Sequence, residues 1–267
     1  LLRDEHVEWV PEVKSREAAR AVQSLPIARR VLREYRPTLL VSTGSALTVP
    51  YMTAARSLRI PVTYVESATR MDGPSITGRI SEWIPGIDRH YQSAGWGRRG
   101  WQSFGSVFDR YEVEMGQARD IQRLLVTIGS EKYPFQRALE MVLTVAHGKE
   151  LIWQTGNTPV RRALPGQAQA WWSGEELATH AQAVDAVVTH AGVGSILMVL
   201  RTGKCPVVIP RTKRLGEHID NHQLQLARML HERGMIIIVK PGDDVENCLA
   251  QASGRRIIRR SSHFSSV

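Results

Sequence analysis

Three glycine-bearing segments each follow an apolar run in the second half of the chain. They are Thr127-Ile128-Gly129-Ser130, Gln154-Thr155-Gly156 and Thr189-His190-Ala191-Gly192-Val193-Gly194-Ser195. Small residues let a backbone approach a pyrophosphate closely, and free N–H groups at the start of a helix donate hydrogen bonds to it. One such segment is often only a turn. Three such segments, each directly after a predicted strand, predict a diphosphate site.

A polar segment follows Pro210 and leads into the next helix pattern. Its candidate site residues are Arg211, Glu217, Asp220, Asn221 and Gln223. Acidic and amide groups at a helix start can cap the backbone, and they can equally bind sugar or ribose hydroxyls. The spacing leaves both interpretations open. Arg211 could also stabilise the charge that develops on a departing diphosphate.

Other kinds of chemistry find less support in the residue pattern. His190, His218 and His222 lack both HExxH spacing and a paired carboxylate, which argues against a metal site. No GxSxG nucleophile elbow is present. Cys205 and Cys248 are the two cysteines, and their number and spacing favour small apolar roles in a reducing compartment.

Short apolar runs that alternate with amphipathic stretches must position these residues. The predicted strands are His6–Val10, Thr38–Ser42, Val62–Val65, Arg123–Ile128, Leu151–Gln154, Ala186–Thr189, Pro206–Ile209 and Met235–Val239. The predicted helices include Arg16–Tyr35, Leu47–Leu58, Phe135–Ala146, Gly194–Arg201 and His222–Glu232. This alternation predicts an α/β fold with doubly wound, largely parallel sheets.

The alternation breaks between Asp88 and Arg119, which predicts a domain boundary near Glu114–Gln122. We therefore expect one domain over residues 1–118 and a second over residues 119–267. A Rossmann-like domain opens with a strand and a Gly-rich turn, and nothing before His6 supplies them. We expect the first domain to lack its first unit.

Charge and hydropathy limit the classes of partner that this chain is expected to bind. The 267 residues carry a formal net charge of +9, which attracts phosphate-bearing partners. No RNP motif, zinc-finger spacing or basic zipper supports nucleic acid, whereas the cluster Arg255, Arg256, Arg259 and Arg260 suits an anionic membrane surface. No apolar run approaches the roughly 20 residues of a membrane span, and no secretion leader opens the sequence.

Taken together, the glycine segments and Asp220-Asn221-His222-Gln223 resemble the donor-binding half of the Alg13 family, which shares its C-terminal domain with MurG. The first half resembles the Alg14 partner subunit. The residues that carry this second likeness are Ser42-Thr43-Gly44-Ser45 with Pro50, and Tyr64-Val65-Glu66-Ser67-Ala68-Thr69-Arg70 with Ser75-Ile76-Thr77-Gly78-Arg79. The likeness covers roughly residues 36–240.

The resemblance implies a GT-B fold of two Rossmann-like domains that face a cleft. It implies inverting transfer of a hexose or N-acetylhexosamine from a UDP-sugar, with no cofactor and no essential metal. The acceptor would be a polyprenyl-diphosphate-linked saccharide used in polysaccharide or cell-envelope glycan synthesis. The protein would then be cytoplasmic and peripheral on the inner membrane face, with a membrane-anchored partner or a second copy as possible subunits.

The resemblance also assigns residues. Gly129, Ser130, Gln154, His190, Gly192, Gly194, Ser195 and Arg211 would surround the donor diphosphate, and Glu217, Asp220, Asn221 and Gln223 its sugar or ribose. Gly44, Ser45, Arg70 and Arg79 would bind the acceptor. Inversion needs a base that removes the proton of the acceptor hydroxyl, and Glu66 is the candidate. Pairing of Glu66 with Arg70 or Arg79 is the structural alternative.

Two departures keep other functions open. MurG and Alg14 relatives carry a Gly-rich loop with a histidine near the N-terminus, and Alg14 relatives a hydrophobic anchor; neither is found here. A UDP-sugar 2-epimerase of GT-B fold and a non-catalytic nucleotide-binding subunit are the alternatives. A basic nucleic-acid binder is more distant.

Overall fold

The structure is a computed structural model that describes residues 6–11, 18–93, 96–103, 105–218 and 222–260, with the side chains of Ala18 and His222 left aside. The chain divides into two compact units, residues 1–106 and 107–267. The division falls earlier than the predicted 118/119. Strand Tyr111–Met115 pairs antiparallel with Arg255–Arg259 near the other end of the second unit, and so belongs to that unit.

The first unit contains a parallel sheet with helices between its strands. In the described ranges the strands are β1 Leu40–Ser42, β2 Val62–Val65, β3 Ile87–Tyr91 and β4 Gln102–Ser103, and they pair in that order. The helices are α1 Ala18–Gln23, α2 Leu25–Tyr35, α3 Thr48–Ser57 and α4 Ile76–Glu82. The predicted strand at His6–Val10 is wrong, because residues 6–11 form no strand or helix.

The core of the first unit lies between its sheet and helices. Tyr64 on β2 and Met52 on α3 are fully buried, and Trp101 packs edge-on against Tyr64 at 5.8 Å between ring centroids. Along β2 buried and half-buried residues alternate, the period of a strand with one face on the core. Because β1 is the last strand of the described sheet, Val41 stays more than half exposed.

The second unit is built around a larger parallel sheet. In the part of the chain that the structure describes, the strand order is β11-β10-β9-β6-β7-β8. These strands are β6 Arg123–Thr127, β7 Glu150–Gln154, β8 Gln167–Gln169, β9 Ala186–Thr189, β10 Val207–Val208 and β11 Ile237–Ile238, while β5 Tyr111–Met115 pairs with β12 Arg255–Arg259. The helices are α5 Gln136–Leu143, α6 Gly174–Ala183, α7 Val193–Arg201, α8 His222–Glu232 and α9 Val245–Ser253.

The strand order of the second sheet reverses at its centre. From β6 the chain adds β7 and β8 on one side, then returns to place β9, β10 and β11 on the other. All four residues of β9 and the last four of β6 are buried, as expected of strands covered on both faces. In doubly wound sheets, ligands bind at the carboxyl ends of the strands where the order reverses. Here that point lies between β6 and β9.

Helix α4 exposes a row of apolar side chains. Ile76, Ile80 and Trp83 lie three to four residues apart and are all exposed, Trp83 to 87%. Such spacing puts them on one face of the helix. Among the described residues there is no helix with the length and apolarity needed to cross a membrane.

Candidate functional site

Two of the three predicted glycine segments meet at the reversal point of the second sheet. Strands β6 and β9 are parallel neighbours, with Thr127 and Thr189 in register at their carboxyl ends. Gly129 follows the first strand and His190 the second. The fold therefore brings together the residues that the sequence placed at a diphosphate site.

The imidazole of His190 occupies the space that two of these glycines leave. A Cβ on Gly129 would lie 2.5 Å from His190 Nε2, and a Cβ on Gly192 would lie 2.3 Å from His190 Cε1. Gly129 also has a φ of +81°, a conformation that favours glycine. These two glycines make room for the histidine ring, whereas the sequence interpretation gave their space to the diphosphate.

The third segment closes against the first. Gly156 has a φ of +56°, and a Cβ there would lie 2.1 Å from the carbonyl oxygen of Gly129. Its N–H donates to the carbonyl of Ala170, just beyond β8. The ends of β6, β7 and β8 therefore pack backbone to backbone, and only glycine fits at residue 156.

His190 is a buried and electrically neutral side chain. Burial, and then the positive charge of Arg211, lower the pKa of His190 to about 4, so the ring is uncharged at neutral pH. Its Nε2 lies 3.1 Å from Ser195 Oγ. Its buried Nδ1 has no hydrogen-bond partner within the described residues.

Helix α7 begins at Val193, three residues after His190, and its first N–H groups have no acceptor within the helix. Gly192 is its N-cap and supplies no side-chain cap, so the N–H groups of Val193, Gly194 and Ser195 find no acceptor in the helix. Around Gly194 a Cβ would meet nothing within 4 Å. Free N–H groups, the helix dipole and open space together make a site for an anion.

Unpartnered buried polar atoms cluster beside this helix start. Buried polar atoms nearly always have a partner, yet several here, at the ends of β9 and β10 and the start of α8, have none within the described residues. They are Thr189 Oγ1, His190 Nδ1, Arg211 Nε, Thr212 Oγ1 and Gln223 Oε1. A polar ligand or ordered water at this edge of the sheet would satisfy them.

Arg211 and Glu217 both make contacts within the protein itself. The guanidinium of Arg211 is buried, and it donates to the carbonyls of Ile128 and Tyr133 at 2.8 and 2.7 Å. Both carboxylate oxygens of Glu217 accept from Arg137, at 2.9 and 2.8 Å. These contacts hold the protein's own loops, and the donor-binding roles of both residues stay predictions.

The remaining donor-side candidates are distributed around the same edge. Gln154 is buried at the end of β7 and accepts a 2.5 Å hydrogen bond from Thr127 Oγ1, while Ser130 is exposed. Gln223 Nε2 lies 3.3 Å from His218 Nε2. Asp220 and Asn221 lie outside the described residues. In those described, no group of three or more His, Cys, Asp or Glu side chains could hold a metal ion.

Sequence reasoning missed an aromatic residue at this edge. Trp171 follows Ala170, whose carbonyl accepts from Gly156, and half of its surface is exposed. Trp172 turns inward and donates to the carbonyl of Trp153. Ser173 and Glu176 then form a capping box that starts α6. A Trp pair before a Ser-x-x-Glu capping box was the available signal.

On the acceptor side, the β1–α3 turn has a strained backbone. Gly44 and Ser45 have φ values of +104° and +124°, and the second is costly for any residue other than glycine. The Ser45 carbonyl accepts from Thr77 Oγ1 at 3.2 Å, which ties the turn to α4. Arg79 on α4 is exposed, and the carbonyl of Arg70 accepts from Trp96 Nε1.

Glu66 lies buried between β2 and α4. Its Oε1 accepts from the N–H of Ser67 at 3.0 Å and its Oε2 from the N–H of Ser75 at 2.8 Å. Gly78 leaves space for it, because a Cβ there would lie 2.4 Å from Oε2. The carboxylate therefore braces the loop and the start of α4. Its role as the catalytic base stays a prediction.

Comparison with known proteins agrees with this geometry. Residues 123–249, which span β6 to α9, match the glycosyltransferase family 28 C-terminal domain. This segment of the chain is similar to that domain, and it contains the β6–β9 reversal, His190 and the start of α7.

The curated relatives that this chain matches are longer than it is. It is 28% identical over 264 residues to the UDP-N-acetylglucosamine--N-acetylmuramyl-(pentapeptide) pyrophosphoryl-undecaprenol N-acetylglucosamine transferase of Sorangium cellulosum, covering 90% of this chain and 62% of that one. It is 35% identical over 71 residues to the UDP-N-acetylglucosamine transferase subunit ALG13 of Yarrowia lipolytica, covering 27% of this chain and 34% of that one. The chain spans less than two thirds of either relative.

Solved structures agree on the fold. MurG of Acinetobacter baumannii superposes with a TM-score of 0.56 at 18% identity, over 94% of this chain and 75% of that one. The UDP-GlcNAc 2-epimerase of Methanocaldococcus jannaschii superposes with a TM-score of 0.53 at 13% identity, over 90% and 78%. The fold alone therefore does not separate a transferase from an epimerase.

Proposed function

We propose that this chain is an inverting glycosyltransferase that moves a hexose or N-acetylhexosamine from a UDP-sugar to a polyprenyl-diphosphate-linked saccharide. The observation that carries the proposal is the start of α7 at the β6–β9 reversal, with free N–H groups, open space at Gly194 and the neutral His190 beside it. The relatives named above, an N-acetylglucosamine transferase and an N-acetylglucosamine transferase subunit, support the donor class.

In this proposal the diphosphate lies on the start of α7. The N–H groups of Val193, Gly194 and Ser195 would donate to its oxygens, and the helix dipole would favour its charge. A neutral His190 suits the start of α7, because its ring can hydrogen-bond Ser195 Oγ without adding a charge of its own to the site. The exposed ring of Trp171, at the same edge, would offer its face to the uracil base.

Transfer requires an acceptor hydroxyl to lose its proton while the anomeric carbon is attacked. Glu66 is the residue that we propose as base, and Gly44, Ser45, Arg70 and Arg79 remain the proposed acceptor contacts. As the bond to the donor breaks, the negative charge that grows on UDP would be stabilised by the α7 N–H groups. No cofactor or metal is required in this scheme, so transfer should persist in EDTA.

A lipid-linked acceptor places the enzyme at a membrane, and we propose that the α4 face binds it. Ile76, Ile80 and Trp83 are exposed, and Arg79 on the same helix adds positive charge. Trp83→Ala should weaken binding to vesicles of phosphatidylcholine and phosphatidylglycerol about tenfold, since burial of a large apolar side chain contributes about 1.5–3 kcal/mol. Trp9→Ala, which removes another exposed tryptophan, is the matched control. Equal losses in a sedimentation assay would contradict the assignment to α4.

Titration calorimetry with UDP and a panel of UDP-sugars tests the donor site. We expect micromolar UDP binding and a preference for one sugar, followed by transfer of that sugar to a polyprenyl-diphosphate saccharide. Absence of UDP binding would refute the proposal. Turnover of UDP-sugar without acceptor would indicate an epimerase, and donor binding with no transfer to the supplied acceptors would favour a nucleotide-binding subunit.

A further inference from the structure

An ion pair between half-buried Arg137 and buried Glu217 joins α5 to the loop that follows β10. Arg137, in the first turn of α5, donates from Nε and Nη2 to the two carboxylate oxygens of Glu217 at 2.9 and 2.8 Å. The same Nη2 donates to the carbonyl of Pro210 at 2.8 Å, and the Thr212 N–H donates to Glu217 Oε2 at 3.0 Å. The pair therefore ties α5 to the loop between β10 and α8.

A second arginine extends this connection toward the anion site. Arg211 donates to the carbonyls of Glu217, Tyr133 and Ile128, and its guanidinium stacks on the ring of Phe135 at 4.4 Å. Ile128 immediately precedes Gly129, the glycine against which the His190 ring lies. Contacts thus run from Arg137 through Glu217 and Arg211 to the backbone beside His190.

We infer that the Arg137–Glu217 pair, acting through Arg211, positions the donor site of this chain. The inference rests on the proposed UDP-sugar function and assigns to these residues a positioning role, not contact with the ligand. The pair sets the β10–α8 loop, which leads to Gln223, and Arg211 sets the peptide before Gly129. Both sides of the start of α7 are then held by one network.

A role in positioning the donor site, rather than in stability alone, explains the Arg137–Glu217 pair. Replacing a buried ion pair with uncharged residues is often neutral for stability, because the desolvation cost of the charges disappears with their attraction. The orientation that the two-point Arg–carboxylate contact imposes is lost in every such replacement. Stability and affinity should therefore respond differently when both charges are removed together.

The test compares two double variants. Arg137→Met/Glu217→Gln removes the pair but leaves an amide oxygen that can accept from the Thr212 N–H. Lys149→Met/Glu246→Gln removes a pair of similar length, 3.0 Å, that links the start of β7 to the start of α9 at the opposite edge of the sheet. Each is assayed for melting temperature, for UDP affinity, and for amide hydrogen exchange in residues 126–131 and 210–218.

We expect the first variant to melt within a few degrees of the native protein, to bind UDP about tenfold more weakly and to exchange faster in both segments. The control should keep native affinity and native exchange in those segments. Native UDP affinity and native exchange in a folded first variant would overturn the inference. If the first variant does not fold, Arg137→Lys, which keeps the charge and loses the two-point contact, should still weaken UDP binding; unchanged affinity and exchange would overturn the inference.

Failure of the proposed function is recognised separately. If the native protein binds no UDP, the donor assignment fails before any variant is compared. The exchange measurement needs no ligand and still decides whether the pair orders the two segments. Unchanged exchange in the first variant would then overturn the positioning role as well.

Discussion

At the scale of single residues, the second unit is organised around an uncharged histidine. His190 is buried between Gly129 and Gly192, and its ring lies against Ser195 at the start of α7. The histidine and the glycines were all predicted at the site from the sequence. Their mutual packing was not, because residue spacing shows which side chains share a strand end but not which of them fills the space that a glycine leaves.

The depressed pKa of His190 makes the stability of the second unit depend on pH. The pKa is about 4 in the folded chain and about 6.5 when the chain is unfolded, so the unfolded state binds more protons between these values. The resulting stability is fully present above pH 6.5 and is lost as pH falls toward 4. Urea unfolding should show about 2 kcal/mol more loss between pH 7 and pH 5 in the native protein than in His190→Gln. Equal losses in the two proteins would show that His190 titrates normally when folded.

Substitution of two glycines in one segment can distinguish a packing role from a ligand-binding role. Gly192→Ala would place a Cβ 2.3 Å from the His190 ring, so we expect a lower melting temperature together with weaker UDP binding. Gly194→Ala places its methyl group in open space inside a helix, where alanine is favoured by about 0.5–1 kcal/mol. Its melting temperature should therefore hold or rise while UDP affinity falls. Native UDP affinity in Gly194→Ala would show that the diphosphate does not approach α7 there.

At the scale of elements, the buried strands were predictable and the polar strands were not. Val62–Val65 and Ala186–Thr189 were predicted with the bounds that the structure gives, because apolar runs covered by helices leave a clear signal. Strands β3, β4, β5, β8 and β12 were missed. Every residue of β8 is exposed at the sheet edge. Strand β5 alternates two glutamates with Tyr111, Val113 and Met115 inside a charged stretch, and it pairs with a partner about 140 residues away.

The junction between β2 and α4 allows a test of Glu66. Glu66→Gln keeps an oxygen for one of the two backbone N–H groups that the carboxylate accepts but has no basicity. We expect a modest fall in melting temperature, native UDP affinity and a fall in kcat of about 10²-fold or more, the contribution typical of a general base. Single-turnover transfer with a saturating UDP-sugar measures the rate. Native kcat with a lowered melting temperature would leave Glu66 only its structural role.

At the scale of the whole molecule, the sequence predicts two α/β domains that divide at 118/119, whereas the compact units of the structure divide at 106/107. The predicted boundary lies inside the charged stretch that contains β5, because the break in the strand–helix alternation does not show that β5 pairs with β12. Its pairing with β12 also accounts for part of the basic cluster, since Arg255, Arg256 and Arg259 lie on that strand and Arg255 donates to the carbonyl of Gly234. These arginines help to close the second unit, which sequence charge alone could not show.

The closure of the second unit by β5 and β12 predicts that residues 107–267 fold by themselves. Strands β5 and β12, near the two ends of that segment, pair with each other, and its sheet is covered on both faces, so it has its own core. The isolated segment should melt cooperatively and bind UDP within about threefold of the whole chain, because the α7 start, His190 and Trp171 all lie within it. It should transfer no sugar, since the proposed acceptor residues and Glu66 lie in the first unit. A cooperatively folded segment that binds no UDP would mean that the donor site needs residues of the first unit, and the assignment of donor binding to the second unit alone would be wrong.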